Sequence, residues 1–231
     1  AELPTQMSAY RQQQARWAVG STQCLCYLLS DVWRAPLSLT SRLLATSHLA
    51  QYVPQPLILL LLLLTPLLAA SGVTAELTLA PLGIVGLVPP LMLAVGQIDR
   101  HPRGWSHLLA FPVLVLLATG RTWSNTRALL LALWGGQKAF LRTPKHAAAQ
   151  NHSAYRSHAM PLWGELSLAV YALFAAWVCW QIQPALVPYM LLYAASYATV
   201  SLWEWSEHRI PYRYRRRLGY NSLQEIYTKR R

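Results

Sequence analysis

Acidic residues are scarce in this sequence, and their scarcity limits the chemistry that the chain can carry out. Only eight of the 231 residues are Asp or Glu, against 20 Lys or Arg. The two aspartates, Asp31 and Asp99, stand far apart in the chain and cannot form an Asp-x-Asp metal site. We therefore expect no complete carboxylate-rich active site in this chain.

Cysteine is equally scarce. The three cysteines, Cys24, Cys26 and Cys179, predict no disulfide framework. Cys24-x-Cys26 lacks further metal ligands nearby, so we expect both residues to be apolar side chains on a helix. No secretory signal opens the chain, which begins without Met in a polar stretch; we expect it to continue from a longer upstream sequence.

Charge is absent from four long stretches, and these predict the membrane-embedded part. The stretches are 43–75, 77–98, 104–120 and 166–203. Because a membrane-spanning helix needs about 20 predominantly apolar residues, we predict four spans. They run roughly over Tyr52–Val73, Leu79–Ile98, Pro161–Trp180 and Ala185–Trp203, with the last two separated at Gln181-Ile182-Gln183-Pro184. The tryptophans near the ends of the last two spans fit an interfacial aromatic belt.

The distribution of Lys and Arg predicts the orientation. Four Arg precede Tyr52 and eight Lys or Arg follow Trp205, whereas the turns 71–78 and 181–184 carry none. By the positive-inside rule, both ends and the 99–160 region are cytoplasmic. The 104–137 segment must then cross an even number of times, and we predict one re-entrant or interfacial element there, Trp105–Gly120 followed by Trp123–Trp134.

The predicted fold is therefore an all-α membrane protein with interfacial amphipathic helices, about four transmembrane helices and one re-entrant or interfacial element. Its predicted segments are interfacial helices (1–51), spans 1 and 2 (52–98), the re-entrant or interfacial element (99–137), a cytoplasmic loop (138–160), spans 3 and 4 (161–205) and a basic cytoplasmic tail (206–231).

Two cytoplasmic motifs stand out. In Gln13-Gln14-Ala15-Arg16-Trp17, a helix would place Gln13, Arg16 and Trp17 on one face. A guanidinium can bind a diphosphate and an indole offers a flat surface for the apolar face of a sugar. An interfacial helix that merely anchors Trp and Arg among lipid headgroups fits these five residues equally well.

The second motif, Phe140-Leu141-Arg142-Thr143-Pro144-Lys145, combines bases with a hydroxyl. Pro144 disfavours helix at Thr143, so an anion-binding loop is plausible. An ordinary basic cytoplasmic loop that follows the positive-inside rule is the alternative for this motif taken alone.

Taken together, Gln-x-x-Arg-Trp before the first span and Phe-x-x-Thr-Pro-Lys about 125 residues later resemble the processive family 2 glycosyltransferases. The similarity is greatest to the bacterial cellulose synthase-like and β-mannan synthase-like members, and it covers the portion that follows the nucleotide-sugar domain of that family. It implies the acceptor-site and channel-forming C-terminal part of an enzyme that transfers sugar from UDP-glucose or GDP-mannose to a growing β-glucan or β-mannan and translocates it. A non-catalytic membrane scaffold or export subunit for a separate enzyme is the alternative.

The resemblance also implies roles for individual residues. Trp17, with Gln13 beside it, would bind the terminal sugar of the acceptor. Arg16 would contact the nucleotide diphosphate, and Thr143 and Lys145 would do so when a gating loop containing Phe140 and Arg142 closes. Arg142 replaces the Val more common in cellulose-making members, which weakly favours the mannan-like branch.

The resemblance further implies that the catalytic residues lie outside this chain. The family's Asp-x-Asp for Mg²⁺ or Mn²⁺ and its Thr-Glu-Asp general base are missing here. We therefore expect no catalytic residue and no metal ligand in this chain, and inactivity without the upstream domain. The expected partners are that domain, the polysaccharide and the lipid bilayer, and the expected location is the bacterial inner membrane.

For the remaining polar residues the sequence predicts positions at the membrane interface or in loops. We expect Glu165 at headgroup level and Glu204 paired with His208 at a helix end in the interface. His146, His152 and His158 are expected in a solvated loop rather than around zinc. The basic clusters adjoin the membrane spans, so they predict attraction to anionic lipid and no nucleic-acid binding. A secondary transporter is disfavoured because no span carries an ionisable group at its centre.

Overall fold

Helices form all of the regular structure that the computed structural model describes, namely residues 6–72, 88–100, 110–135 and 162–209. A 3₁₀ turn, Pro184–Leu186, precedes the last helix. In chain order the helices are α1 (Met7–Arg34), α2 (Leu39–Leu49), α3 (Pro54–Ala70), α4 (Val88–Arg100), α5 (Phe111–Gly120), α6 (Thr122–Leu133), α7 (Trp163–Ile182) and α8 (Val187–Arg209). The predicted all-helical architecture is confirmed for these ranges.

The α7–α8 hairpin forms the centre of the structure. The two helices pack against each other more extensively than any other pair in the described ranges. The buried face of α7 consists mainly of small residues, among them Ala169, Ala172, Ala176 and Cys179. Small side chains let two helix backbones approach closely, which suits helix packing inside a membrane. The hairpin turns at Gln183-Pro184, where the sequence predicts the break.

Two helices are long and apolar enough to cross a membrane, Trp163–Ile182 and Pro184–Glu207. Helices α2 and α3 together are also long and apolar enough, but they are bent by 64° where they meet. They are a third candidate if this bent pair counts as one broken span. These two to three candidate spans suggest a membrane protein.

The described spans are fewer than the four predicted from the uncharged stretches. The first predicted span corresponds to α3, whose 17 residues reach only about 26 Å at 1.5 Å per residue, short of a hydrocarbon core of about 30 Å. The second falls partly outside the described residues, and the part within them is α4, of 13 residues.

The described part of the element predicted over 104–137, residues 110–135, contains two helices, α5 and α6. Helix α5 packs on α8, while α6 packs on α1 and α3. At their junction the Thr122 and Tyr197 hydroxyls are hydrogen-bonded. An added Cβ at Gly120 would lie 2.5 Å from the carbonyl oxygen of Ser196. The junction of α5 and α6 therefore packs closely against α8. Helix α6 begins and ends within one residue of the predicted segment Trp123–Trp134.

A substitution at Gly164, at the start of α7, tests the packing of α6 against the hairpin. An added Cβ there would overlap the indole of Trp123, so we expect Gly164→Ala to displace the ring. Overpacking of this kind costs about 1–3 kcal/mol of unfolding free energy. Unfolding in mixed micelles, followed by helix circular dichroism, measures the loss.

The matched control is Gly20→Ala in α1, where an added Cβ meets nothing within 4 Å. In a helix interior this substitution stabilises by roughly 0.5–1 kcal/mol. Equal stability of the two variants would show that Trp123 does not pack against Gly164 as described.

Candidate functional site

Helix α1 carries the first predicted motif, and one of its faces is buried. Arg11, Ala18 and Thr22 lie on this face, since they are seven and four residues apart. The face packs against α6 along much of its length, and α1 also contacts α8. Ala18 contributes to a small apolar cluster with Tyr52, Ala128 and Leu129.

Arg11 bridges α1 to both helices of the hairpin. Its Nη2 donates a hydrogen bond to Oε1 of Glu165 on α7, and its Nη1 donates to Oε2 of Glu204 on α8. The exposed fractions of the Arg11, Glu165 and Glu204 side chains are 1%, 0% and 0%. This Arg11–Glu165–Glu204 cluster is therefore a buried ionic contact among three helices.

A further carboxylate lies at the start of α1. The backbone N–H of Met7 donates a hydrogen bond of 2.8 Å to Oε2 of Glu207. The first N–H groups of a helix have no intrahelical acceptor, and the positive end of the helix dipole favours nearby negative charge. The N-terminus of α1 is thus attached to the end of α8 by two adjacent contacts.

The burial of Glu165 and Glu204 in one cluster is not predicted. Both side chains are fully buried beside Arg11, whereas the headgroup level of Glu165 and the pairing of Glu204 with His208 stay predictions. The side chain of His208 lies outside the described residues. A signal was present in the sequence: Glu165 precedes Gln183 by 18 residues and Glu204 follows Pro184 by 20. In an antiparallel hairpin this near-symmetric spacing puts both carboxyls at the same level, where a buried pair requires a cation.

The residues predicted to bind the acceptor and the diphosphate on α1 lie away from the face that contains Arg11. At 3.6 residues per turn, Gln13, Arg16 and Trp17 stand about 120–160° around the helix from Arg11. Trp17 is 54% exposed, whereas Gln13 and Arg16 are half-buried. Partial burial lowers the pKa of Arg16, but guanidinium groups stay protonated in proteins. Gln13, Arg16 and Trp17 therefore lie next to one another on the side of α1 opposite Arg11, which we call the outer side. Trp17 supplies an indole there and Arg16 a cation.

Polar contacts on the flank of α1 fix its position further. The hydroxyl of Tyr52 donates to Oε1 of Gln14 at 3.2 Å. The guanidinium carbon of Arg121, at the start of α6, lies 4.9 Å from the centre of the Tyr10 ring, a cation–π distance. The second residue of the motif therefore holds the helix in place, while Gln13, Arg16 and Trp17 occupy another part of its surface.

The loop residues Phe140, Arg142, Thr143 and Lys145 lie outside the described residues, as do the histidines of the following segment. Within the described ranges no three His, Cys, Asp or Glu side chains are grouped so that they could hold a metal ion. What this part of the chain can do chemically therefore depends on the outer side of α1.

The Arg11–Glu165–Glu204 cluster is tested by Arg11→Met. Removal of one partner of a buried ion pair leaves an uncompensated charge and costs about 3–5 kcal/mol. We expect a loss of this size in the free energy of unfolding in mixed micelles, together with faster proteolysis within α1. The triple variant Arg11→Met, Glu165→Gln, Glu204→Gln should recover most of the stability, because it removes all three charges.

Arg127→Met is the matched control. Arg127 is exposed on α6, with its guanidinium carbon 6.0 Å from the centre of the Trp123 ring. Exposed contacts of this type contribute about 0.5–1 kcal/mol. If Arg11→Met were no more destabilising than Arg127→Met, the buried cluster would not hold α1 to the hairpin.

No protein-family model, curated protein or solved structure matches this chain. The resemblance to family 2 glycosyltransferases therefore stays a prediction that rests on its motifs. The function of the chain has to be inferred from those motifs together with the geometry of α1.

Proposed function

We propose that this chain is the acceptor-site and channel-forming C-terminal part of a membrane glycosyltransferase. The enzyme transfers a hexose from a nucleotide sugar to a growing β-glucan or β-mannan and moves the polymer across the bilayer. The catalytic residues would belong to the nucleotide-sugar domain of that enzyme.

The observation that carries the proposal is the division of α1 into two sides. Arg11 attaches one side to the α7–α8 hairpin through Glu165 and Glu204. Another side presents Trp17, which is 54% exposed. An interfacial anchor needs only an apolar face and flanking bases, whereas an acceptor site beside a channel needs this fixed placement of one aromatic ring.

The three residues of the motif suit a sugar-transfer site. The Trp17 indole can stack on the apolar face of a hexose while its N–H remains available to a hydroxyl group. Arg16, one residue earlier, can bind a diphosphate with its planar fork. The Gln13 amide, one helical turn earlier, offers both a donor and acceptors to sugar hydroxyls. Acceptor and leaving group would thus meet at one point of α1.

The upstream domain would supply the remaining chemistry. A general base there would take the proton of the acceptor hydroxyl, and a divalent cation would neutralise the departing diphosphate. From this chain, Thr143 and Lys145 would close over that diphosphate as part of the loop that contains Phe140 and Arg142. Closure of this kind excludes water from the site.

The hairpin offers aromatic side chains to a polymer. Five aromatic residues of the hairpin are candidates for contact with a polymer, namely Trp163, Tyr171, Trp177, Tyr189 and Tyr193. Of these, Tyr171 donates a hydrogen bond to the carbonyl oxygen of Leu63 and Tyr193 to that of Ile58, both on α3. These two residues join α3 to the hairpin. The three that remain exposed are Trp163, Trp177 and Tyr189, and we assign any contact with a translocating glycan to them.

The first test is to read the coding sequence directly upstream of Ala1. We expect the open frame, or a neighbouring gene, to encode an Asp-x-Asp and a Thr-Glu-Asp. A continuous frame would make this chain the C-terminal half of one synthase, and a separate neighbouring gene would make it one subunit of two. Absence of both motifs on either side would overturn the glycosyltransferase assignment.

The second test uses Trp17→Ala and Lys145→Ala in the complex with the upstream domain. We expect each substitution to lower kcat/KM for polymer formation by about tenfold or more, equivalent to about 1.4 kcal/mol of transition-state stabilisation. Incorporation of radiolabelled UDP-glucose and GDP-mannose into polymer, assayed in parallel, measures the effect and identifies the sugar.

Tyr27→Ala is the control for Trp17→Ala, because Tyr27 lies on α1 and is 73% exposed but outside the motif. It should leave polymer formation unchanged. Wild-type rates for Trp17→Ala and Lys145→Ala, in a complex that assembles normally, would contradict the acceptor-site assignment and favour a scaffold or export subunit.

A further inference from the structure

The Arg11–Glu165–Glu204 cluster contains more negative than positive charge. One guanidinium lies between two carboxyl groups, and all three side chains are at least 99% buried. With both carboxyls ionised, the cluster would carry one uncompensated negative charge away from water. Burial of an unpaired carboxylate is costly, and such a group commonly takes up a proton instead.

No second cation compensates for this charge within the described residues. Arg11 is the only basic side chain there in ion-pair contact with Glu165 or Glu204. On the α6 side, Arg121 lies over the Tyr10 ring and Arg127 lies near Trp123.

The other groups near the cluster do not supply a cation either. On α8 the neighbouring titratable groups are Glu207, which accepts from the N–H of Met7, and Tyr197, whose hydroxyl is hydrogen-bonded to that of Thr122. Neither carries positive charge, and Glu207 adds another acid.

One oxygen of each carboxyl group in the cluster is available to a proton. Arg11 uses one oxygen of each carboxyl group, Oε1 of Glu165 and Oε2 of Glu204. The opposite oxygens, Oε2 of Glu165 and Oε1 of Glu204, are buried and have no hydrogen-bond partner in the part of the chain that the structure describes. A carboxyl oxygen without a donor lacks a hydrogen bond that would favour the charged form, and it is free to carry a proton.

We propose that the Arg11–Glu165–Glu204 cluster binds one proton, held by its two carboxyl groups, at neutral pH. The bound form contains one carboxylate, one neutral carboxyl group and one guanidinium, and its net charge is zero. Because the two acids share one cation, the proton belongs to the pair rather than to either residue.

The proton makes the attachment of α1 depend on pH. The folded cluster retains a proton that the solvated carboxyl groups of the unfolded chain have lost at neutral pH. The folded state then binds more protons, so the free energy of unfolding decreases as pH rises and the cluster deprotonates. Alkaline conditions should therefore loosen α1, and with it the motif that contains Trp17.

Infrared spectroscopy of the full chain in lipid nanodiscs tests the proposal directly. A neutral carboxylic acid has a carbonyl stretching band that a carboxylate lacks. At neutral pH we expect this band, with the intensity of one group per chain, in the wild type. We expect its loss in Glu165→Gln and in Glu204→Gln, because either substitution leaves one carboxylate matched to Arg11.

Glu207→Gln is the control and should retain the band, since Glu207 lies outside the cluster. The single variants should also lose the decrease in stability that the wild type shows from neutral to alkaline pH. A wild-type spectrum without the band at neutral pH would overturn the proposal, as would a band that persists in both variants.

A band that appears only when Na⁺ is withdrawn would also overturn the proposal, since the cluster would then hold a metal cation. None of these measurements involves sugar transfer. Their outcome is therefore independent of the proposed glycosyltransferase function.

Discussion

The rest of the structure depends on one buried ionic contact, in which Arg11 lies between Glu165 and Glu204. Helices α7 and α8 can pack through their small and apolar residues alone. The buried residues in the first turns of helix α1 are Met7, Ser8, Ala9 and Arg11, which offer little apolar surface, and Arg11 forms the ion pairs with both helices of the hairpin. The position of α1 relative to the hairpin is therefore determined by charge and hydrogen bonding, and α6 adds the apolar contacts farther along the helix.

Much of this arrangement is predictable from the sequence. Uncharged stretches predict both helices of the hairpin and a turn between them within residues 181–184, because apolar length is a local property. The first predicted span corresponds to α3, which is a candidate span only in combination with α2. Apolar composition alone does not show where a helix bends, as α2 and α3 do by 64°.

The buried cluster is not predicted, for a physical reason. Each of its members sits near a helix end, where a charge is normally solvated, so each residue taken singly favours an exposed position. Only the combination of hairpin symmetry for Glu165 and Glu204 with a cation from a third helix indicates burial, and no local pattern connects Arg11 to residues more than 150 positions away. The motif on the outer side of α1 is visible in the sequence because Gln13, Arg16 and Trp17 are neighbours on one helix.

A buried ion pair is a poor source of net stability, since well-packed apolar residues of the same size commonly do as well or better. What it can supply is orientation. An apolar contact on a helix tolerates a slip by one residue, which rotates the helix by about 100°. A guanidinium whose two Nη atoms bond carboxylates from two different helices has no equivalent position after such a rotation. We infer that the cluster fixes the rotation of α1 about its own axis, and the direction in which Trp17 faces, on which the proposed acceptor site depends, follows from that rotation.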